Sequence, residues 1–186
     1  KQDTNHIDAY LQMGDILREE GNAQAAVKIH QSLTVRPNLN NDISRDIHQS
    51  LALDFKQIGH LNKAKREAEL VLKLDRKNLW ANEFLLDIYE NQRNWDQAIQ
   101  ITKSIQKLKK SQDQKQIARL LVYQGMDKLE KGHQKEAEAQ FNKAVKTAPE
   151  FGLPYLRLGD LFAENRDLLK AIKNWEKFAL LNPDEG

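Results

Sequence analysis

The last third of the chain repeats itself at an offset of 34 residues. When residues 118–149 are aligned with residues 152–183, small residues and prolines coincide without a gap: Gly125 with Gly159, Ala137 with Ala171, and Pro149 with Pro183. A period of this length indicates stacked structural repeats, in which each unit buries its apolar face against its neighbours. Apolar residues between these positions recur with helical spacing. The chain is therefore predicted to fold as an all-α solenoid of helix pairs.

The same pattern extends upstream and gives five copies of the unit. Their predicted bounds are residues 7–38, 45–78, 79–112, 118–151 and 152–185, within a single domain over residues 1–186. Positions in each copy are numbered from its first residue and are called slots. Slots 8 and 20 are expected to lie where the two antiparallel helices of a pair approach most closely. Apart from the large Leu86, they hold small residues: Gly14/Ala26, Ala52/Ala64, Leu86/Ala98, Gly125/Ala137 and Gly159/Ala171.

Slot 16 is predicted to cap the second helix of each pair. It holds Asn22, His60, Asn94, His133 and Asp167. Asn and Asp are favoured at this place because their side-chain oxygens accept hydrogen bonds from the first free N–H groups. Gln97 and Glu136, each three residues further on, would complete capping boxes with Asn94 and His133.

Two spacings exceed the period. The extra residues lie in the segments 37–44 and 109–115, which are rich in turn-forming or charged residues. They form either loops between repeats, which solenoids tolerate, or an extension of the helix that follows.

A unit of 34 residues with these small slots and a closing proline resembles the tetratricopeptide repeat. The resemblance implies a right-handed superhelix with a concave groove, which slots 2, 5, 9, 12 and 13 would line. In this sequence the groove becomes apolar toward the fifth copy, and an exposed apolar strip suits a peptide or helix partner. The candidate partner-binding residues are Trp80, Arg119, Val122, Met126, Leu129, Leu156 and Asp160.

Each of these groove assignments has a structural alternative. Val122, Met126, Leu129 and Leu156 instead pack together if the groove is closed, since apolar stripes at helical spacing are usually core. Trp80 either anchors a partner or covers the junction between the second and third pairs. Trp95 and Trp175 occupy slots that are expected to be core.

Composition and motifs favour a protein without catalytic activity. The chain has no cysteine, a net charge of +2 and no phosphate-binding or hydrolase motif. Its five histidines show no i, i+4 pair of the kind that binds metals, and His30 is predicted to be a packed core residue. No apolar run approaches the ~18 residues of a membrane span. We therefore expect no cofactor, no metal and no small-molecule substrate in this chain.

Two surface features suggest alternative functions. Residues 103–119 carry six cations, Lys103, Lys107, Lys109, Lys110, Lys115 and Arg119, against Asp113 alone. This run would be the site of an RNA-binding helical repeat, but no aromatic residue is interleaved for base stacking, which favours a solvated loop and helix end. Apolar residues of the last pair, including Leu168, Leu169 and Leu181, would allow self-association as a homodimer.

A closer resemblance concerns residues 10–33 and 85–101. Tyr10–Gln31 reads YLQMGDILREEGNAQAAVKIHQ and Leu85–Ile101 reads LLDIYENQRNWDQAIQI. Together with the extended spacings after the first and third copies, they are similar to the cytoplasmic repeats of the lipopolysaccharide assembly protein B family. That family is held at the inner membrane by an N-terminal helix and ends in a zinc module with paired cysteines. The resemblance implies that this sequence, which begins with Lys1, is a fragment of such a protein on the cytoplasmic face of the inner membrane.

The same resemblance implies an adaptor function. The family presents the lipid A pathway deacetylase to the FtsH membrane protease and so limits lipopolysaccharide synthesis. The alternative is a tetratricopeptide adaptor in an unrelated assembly.

Overall fold

The computed structural model describes residues 2–183, and the side chains of residues 6–183. This part of the chain forms ten helices and contains no strand. They are α1 (Gln2–Glu19), α2 (Ala23–Thr34), α3 (Asn41–Gln57), α4 (Leu61–Leu74), α5 (Leu79–Asn91), α6 (Trp95–Lys109), α7 (Gln114–Glu130), α8 (Gln134–Thr147), α9 (Leu153–Glu164) and α10 (Leu168–Leu181). Each predicted copy supplies one consecutive pair of helices, so the all-α fold of five helix-turn-helix repeats is confirmed.

The helices fall into two compact units, one ending at Ile88 and the other beginning at Tyr89. In the first unit α2 packs on α1 and on α3, α3 packs on α4, and α1 also contacts α3. In the second unit α6 packs on α7, α7 on α8 and α9, α8 on α9, and α9 on α10. Each unit is thus built from helix pairs stacked on their neighbours. The single domain over residues 1–186 stays a prediction.

Small residues bring the two helices of a pair together. A Cβ placed on Gly14 would lie less than 3.0 Å from the His30 ring, and the same holds in two other pairs, for Gly125 against Phe141 and Gly159 against Trp175. In the second pair the corresponding residues are Ala52 and Ala68, both fully buried. In these four pairs the residue at slot 8 is therefore matched in size to the residue at slot 24. Slot 20 is a fully buried alanine in every copy: Ala26, Ala64, Ala98, Ala137 and Ala171.

One residue in the turn of every pair adopts a left-handed conformation. It occupies slot 15, and its φ angles are +86° at Gly21, +77° at Gly59, +52° at Arg93, +77° at Gly132 and +60° at Arg166. This region suits glycine, which has no Cβ to meet the following carbonyl. The two arginines therefore hold a backbone conformation that is less favourable for them than for glycine.

The caps of the second helices are found at the predicted residues, but the capping boxes are wrong. Side-chain oxygens of Asn22 and Asp167 accept hydrogen bonds from the N–H groups of Ala25 and Lys170, at 3.3 Å each. Asn94 makes no side-chain cap bond. Its backbone N–H, which a capping box would use, instead donates to the carbonyl of Tyr89 in the preceding helix at 2.8 Å.

The same bond to the preceding helix replaces the second predicted capping box. The N–H of His133 donates to the carbonyl of Lys128 at 2.8 Å, so the Glu136 side chain has no free cap N–H to accept from. Glu136 pairs with Lys128 at 2.6 Å instead. The hydrogen bond and charge of that lysine lower the pKa of Glu136.

The extra residues between copies lengthen the helices that follow them. α3 and α7 begin at Asn41 and Gln114, four residues before the predicted copies at 45 and 118. Their starts are fixed by side-chain caps, because Asn40 accepts from the N–H of Ile43 at 2.8 Å and Asp113 from that of Gln116 at 3.2 Å. Of the two alternatives for these spacings, the structure has the longer helix.

Candidate partner-binding groove

The predicted groove residues lie on three helices. Trp80 is on α5 in the first unit, whereas the other six are in the second unit. Arg119, Val122, Met126 and Leu129 are on α7, and Leu156 and Asp160 are on α9, a helix in contact with α7. The structure thus brings the α7 and α9 candidates to neighbouring helices.

The apolar candidates on α7 and α9 differ in exposure. Val122 is 0% exposed and belongs to the core, so it cannot contact a partner in this structure. Met126, Leu129 and Leu156 are half-buried. These three side chains keep part of their apolar surface in contact with solvent, as a docking surface requires.

Arg119 is exposed at the edge of a separate cavity of about 310 Å³. Lys115, Gln116 and Phe151 line this cavity with it, and Asp113 at the start of α7 completes the lining. The other cationic side chains of the basic run that lie in the helices are likewise exposed: Lys103, Lys107, Lys109 and Lys115. Lys110 ends α6 in a left-handed conformation, with φ of +53°.

Trp80 packs on its own helix. Its ring stacks on that of Phe84, one turn further along α5, with centroids 5.0 Å apart. Lys56 of α3 places its ammonium 5.4 Å from the Phe84 ring centroid and pairs with Asp87 at 2.6 Å. Trp80 is half-buried, so one part of it stabilises α5 and the rest faces solvent.

Asp160 is engaged within the protein. Its carboxylate accepts hydrogen bonds from Trp175 Nε1 at 3.2 Å and from Arg157 Nη1 at 3.3 Å. The interpretation of Trp175 as a core residue is wrong, because the side chain is 37% exposed. One edge of its indole lies over Gly159, and the remainder faces solvent.

The structure contains a cavity beside Met126 that the sequence analysis missed. This cavity, called the Trp95 cavity below, has a volume of about 350 Å³. It is lined by Trp95, Tyr123 and Met126 together with the charged residues Glu90, Arg93, Asp127 and Glu130. Trp95 was expected in the core, but it is half-buried, and Tyr123 is 37% exposed.

Asp127 organises the Trp95 cavity. One carboxylate oxygen accepts from Trp95 Nε1 at 2.7 Å, and the other accepts from Arg93 Nη1 at 2.9 Å. Arg93 also pairs with Glu130 at 2.6 Å. The hydrogen bond and charge of Glu130, followed by the charge of Asp127, raise the pKa of Arg93. The sequence carried one signal for Asp127, since slot 10 holds Ile or Leu in three of the five copies.

A second aspartate at slot 10, Asp54, forms a polar cluster in the first unit. Its carboxylate contacts His30 Nδ1 at 2.6 Å and accepts from Arg18 Nη1 at 3.1 Å. His30 is fully buried, as expected of a core residue. Its Nε2 lies 3.1 Å from the carbonyl oxygen of Leu11, so both ring nitrogens face acceptors. Burial alone lowers the pKa of His30, but the hydrogen bonds to Asp54 and Leu11 outweigh it and raise the pKa above its ordinary value.

α10 exposes most of its surface, since Ala171 is its only buried residue. Leu169 is 84% exposed, and Leu168, Ile172 and Leu180 are also open to solvent, whereas Leu181 is half-buried. Lysines border one side of this apolar surface, where Lys170, Lys173 and Lys177 line a broad depression with Tyr155.

The described residues contain neither a metal-binding cluster nor a membrane-spanning helix. No group of three or more His, Cys, Asp or Glu side chains in that part of the chain could hold a metal ion. No helix there has both the length and the apolar character required to cross a membrane.

Comparison with known sequences supports the predicted resemblance. No protein-family model matches the chain. The chain is 26% identical over 182 residues to lipopolysaccharide assembly protein B of Haemophilus influenzae Rd, which covers 97% of this chain and 45% of that protein. It is 22% identical over 177 residues to the protein of the same name from Escherichia coli K12, covering 95% and 46%. The predicted similarity is confirmed, and the chain spans slightly less than half the length of these curated relatives.

Solved structures support the fold. A crystal structure of MamA protein has a TM-score of 0.56 at 17% identity, covering 96% of this chain and 93% of that chain. MamA from Desulfovibrio magneticus RS-1 has a TM-score of 0.52 at 15% identity, covering 95% of each chain. MamA is a tetratricopeptide helical solenoid. At these identities the likeness concerns the fold alone, and it confirms the tetratricopeptide architecture.

Proposed function

We propose that this tetratricopeptide chain is a non-catalytic scaffold that binds other proteins and regulates lipopolysaccharide synthesis. It would present the lipid A pathway deacetylase to an FtsH-type membrane protease, at the cytoplasmic face of the inner membrane. The observation that carries the proposal is the similarity to lipopolysaccharide assembly protein B, which extends over 95–97% of this chain.

The geometry favours a binding surface over an active site. The most enclosed polar cluster, around His30 and Asp54, has both side chains at zero exposure, so no substrate reaches them. Asp15 also belongs to this cluster, because its Oδ1 accepts hydrogen bonds from Arg18 Nη1 at 2.6 Å and from Ser50 Oγ at 2.9 Å. Because these polar groups satisfy one another, they act as a structural connection between α1, α2 and α3.

The binding surface we propose lies on α7 and α9. Met126, Leu129 and Leu156 provide half-buried apolar area, and an amphipathic helix or extended peptide buries such area when it docks. Arg119 and Asp160 lie on the same two helices and would contribute polar contacts. Trp80, on α5 in the first unit, would be a separate contact for a partner. Val122 supports α7 from the core.

Purified components test this assignment. We would immobilise the chain and measure its affinity for the deacetylase and, separately, for the FtsH-type protease. Replacing Met126 and Leu129 with glutamate places two charges on the proposed surface and should reduce binding at least tenfold, since a buried unpaired charge opposes docking. The far-ultraviolet circular dichroism should remain that of a helical protein.

The matched control is the pair Leu168→Glu and Leu169→Glu on α10. It adds the same two charges to exposed leucines and should leave binding unchanged. If binding of either enzyme is lost in the control and kept in the Met126 and Leu129 variant, the surface is on α10. If neither enzyme binds the unaltered chain, the lipopolysaccharide assignment fails and a scaffold for another assembly remains.

Self-association is a second candidate function, which the exposed leucines of α10 favour. Two copies that meet through Leu168, Leu169, Ile172 and Leu180 would bury these side chains. Sedimentation velocity at two protein concentrations should then show a dimer, and the Leu168→Glu and Leu169→Glu variant should stay monomeric. A monomer at both concentrations for the unaltered chain excludes this function for the isolated chain.

A further inference from the structure

The Trp95 cavity has two aromatic walls at an angle to each other. The ring centroids of Trp95 and Tyr123 are 5.5 Å apart and their planes are inclined by 47°. Met126 adds a thioether to the lining. Two inclined aromatic faces, open to solvent in part, form a surface on which an alkyl chain or a cation can lie.

The indole of Trp95 is fixed in place. Its Nε1 donates to Asp127, whose side chain is almost fully buried and also accepts from Arg93. Because the donor and both carboxylate oxygens are satisfied inside the protein, the Trp95 wall does not need to rearrange when a ligand enters. Such preorganisation reduces the entropic cost of binding.

The charged residues around the cavity favour a positively charged ligand. Glu90, Asp127 and Glu130 contribute three carboxylates, and Arg93 contributes the single guanidinium, so negative charge is in excess. Arg93 is an internal example of a cation paired with these carboxylates. Its Nη1 lies 2.9 Å from Asp127 Oδ1 and 2.6 Å from Glu130 Oε2, so an internal guanidinium already occupies part of the rim.

We propose that the Trp95 cavity binds an arginine or lysine side chain presented by an extended segment of the partner protein. The alkyl part of that side chain would lie on the rings of Trp95 and Tyr123, where an aromatic face also attracts the cation. The charged end would meet the carboxylates of Glu90 and Glu130. This inference rests on the proposed scaffold function and specifies the chemistry of its partner.

A capped five-residue peptide, with a central arginine flanked by leucine and glycine, tests the proposal directly. Its matched control replaces arginine with citrulline, which has the same shape without the charge. In two-dimensional NMR spectra, the indole N–H signal of Trp95 should shift saturably with the arginine peptide at millimolar concentration. The indole signals of Trp80 and Trp175 should remain in place.

Removing negative charge from the cavity and removing positive charge from it should change the affinity for the arginine peptide in opposite directions. Replacing Glu90 and Glu130 with glutamine should weaken arginine binding about fivefold, the size expected for exposed ion pairs. Arg93→Gly should strengthen it, because two carboxylates lose their internal guanidinium and the left-handed backbone suits glycine. Arg166→Gly, the same turn residue in the fifth copy, is the matched control and should leave affinity unchanged.

Removing an aromatic wall should also weaken binding. Tyr123→Ala should reduce the affinity about threefold, which corresponds to an exposed cation–π contact. Equal shifts with the arginine and citrulline peptides, or no shift of the Trp95 signal, would overturn the proposal. If the deacetylase or protease binds the chain while the peptide does not, the cavity assignment fails and the scaffold stands. If the peptide binds and neither enzyme does, the cavity stands without the lipopolysaccharide role.

Discussion

Gly125 provides the sharpest test of how the helix pairs are held together. A Cβ at this position of α7 would lie less than 3.0 Å from the ring of Phe141 on α8, and the Phe141 side chain is fully buried. The ring cannot turn away, because α9 packs on the same helix. In Gly125→Ala the added methyl group must therefore push α7 and α8 apart or force Phe141 out of its preferred rotamer.

The expected cost follows from two opposing terms. Overpacking a filled core by a methyl group costs about 1–3 kcal/mol. Alanine is preferred over glycine inside a helix by about 1 kcal/mol, which offsets part of that cost. Gly125→Ala should therefore lower the free energy of unfolding by up to about 2 kcal/mol. Gly159→Ala should change it by no more than roughly 0.5 kcal/mol, because the partly exposed Trp175 can turn into solvent.

A double-mutant cycle isolates the contact between the two residues. Phe141→Ala alone should cost about 3–5 kcal/mol, because it leaves a cavity in the core. In that background Gly125→Ala should have no cost and should stabilise the protein by up to about 1 kcal/mol, since no ring remains to clash with. The resulting pair of alanines is the one that the second copy contains, at Ala52 and Ala68.

Urea unfolding followed by circular dichroism measures these free energies. We predict that removing Phe141 abolishes the cost of Gly125→Ala, with a coupling free energy of about 1–3 kcal/mol between the two substitutions. Additive effects of the two substitutions would refute the contact as the factor that sets the helix distance. A Gly159→Ala variant as unstable as Gly125→Ala would show that exposure of the ring is irrelevant.

Two further predictions concern the turns and the buried histidine. Arg166→Gly should raise the free energy of unfolding by about 0.5–1 kcal/mol in urea titrations, because relief of the left-handed conformation exceeds the added flexibility of the unfolded chain. Arg93→Gly should gain less, since it also loses the pairs with Asp127 and Glu130. The raised pKa of His30 means that its stabilising contribution is fully present below the unfolded pKa of about 6.5 and is lost as the pH rises through the folded value. The stability difference between the unaltered chain and His30→Phe should therefore narrow as the pH rises above about 6.5, and a difference that grows with pH would contradict the network.

The residues at the repeat slots were sufficient to predict most of the fold. A period of 34 residues with glycine or alanine at slots 8 and 20 is sufficient to predict the helix pairs, because only small residues permit that approach. The match between slots 8 and 24 follows from the same sterics: glycine accompanies a ring, and Ala52 accompanies Ala68. Local sequence also contained the caps Asn40 and Asp113, which set the starts of the longer helices α3 and α7.

The exposure of the tryptophans could not be predicted in this way. Phe141 and Trp175 occupy the same slot, each over the glycine at slot 8 of its own copy, but α9 packs on α8 and covers Phe141. Trp175 is on α10, whose outer surface meets no other helix among the described residues, and so it stays partly exposed. Exposure depends on the neighbouring repeat, which the slot of a residue does not specify.

Only part of the candidate site could be predicted, because the slot of a residue does not specify its exposure. Met126 and Leu129 were found by slot, and they are half-buried as a binding surface requires, whereas Val122 was assigned by the same rule and is core. The Trp95 cavity depends on contacts across 28–37 residues of sequence, such as Arg93 to Glu130 and Trp95 to Asp127. The sequence signal was an aspartate in a slot that is apolar in three of the five copies, which indicates a buried polar partner without identifying it.

The proposed scaffold function requires the α7 and α9 surface to hold one protein partner for delivery to a second one. Sedimentation velocity of the chain mixed with the purified deacetylase and the FtsH-type protease tests it most directly. We predict one species that contains all three proteins, formed equally well by the Leu168→Glu and Leu169→Glu control and absent with Met126→Glu and Leu129→Glu. A three-protein species that persists in the Met126 and Leu129 variant would contradict the proposed surface, and failure of the unaltered chain to join the two enzymes would contradict the proposed function.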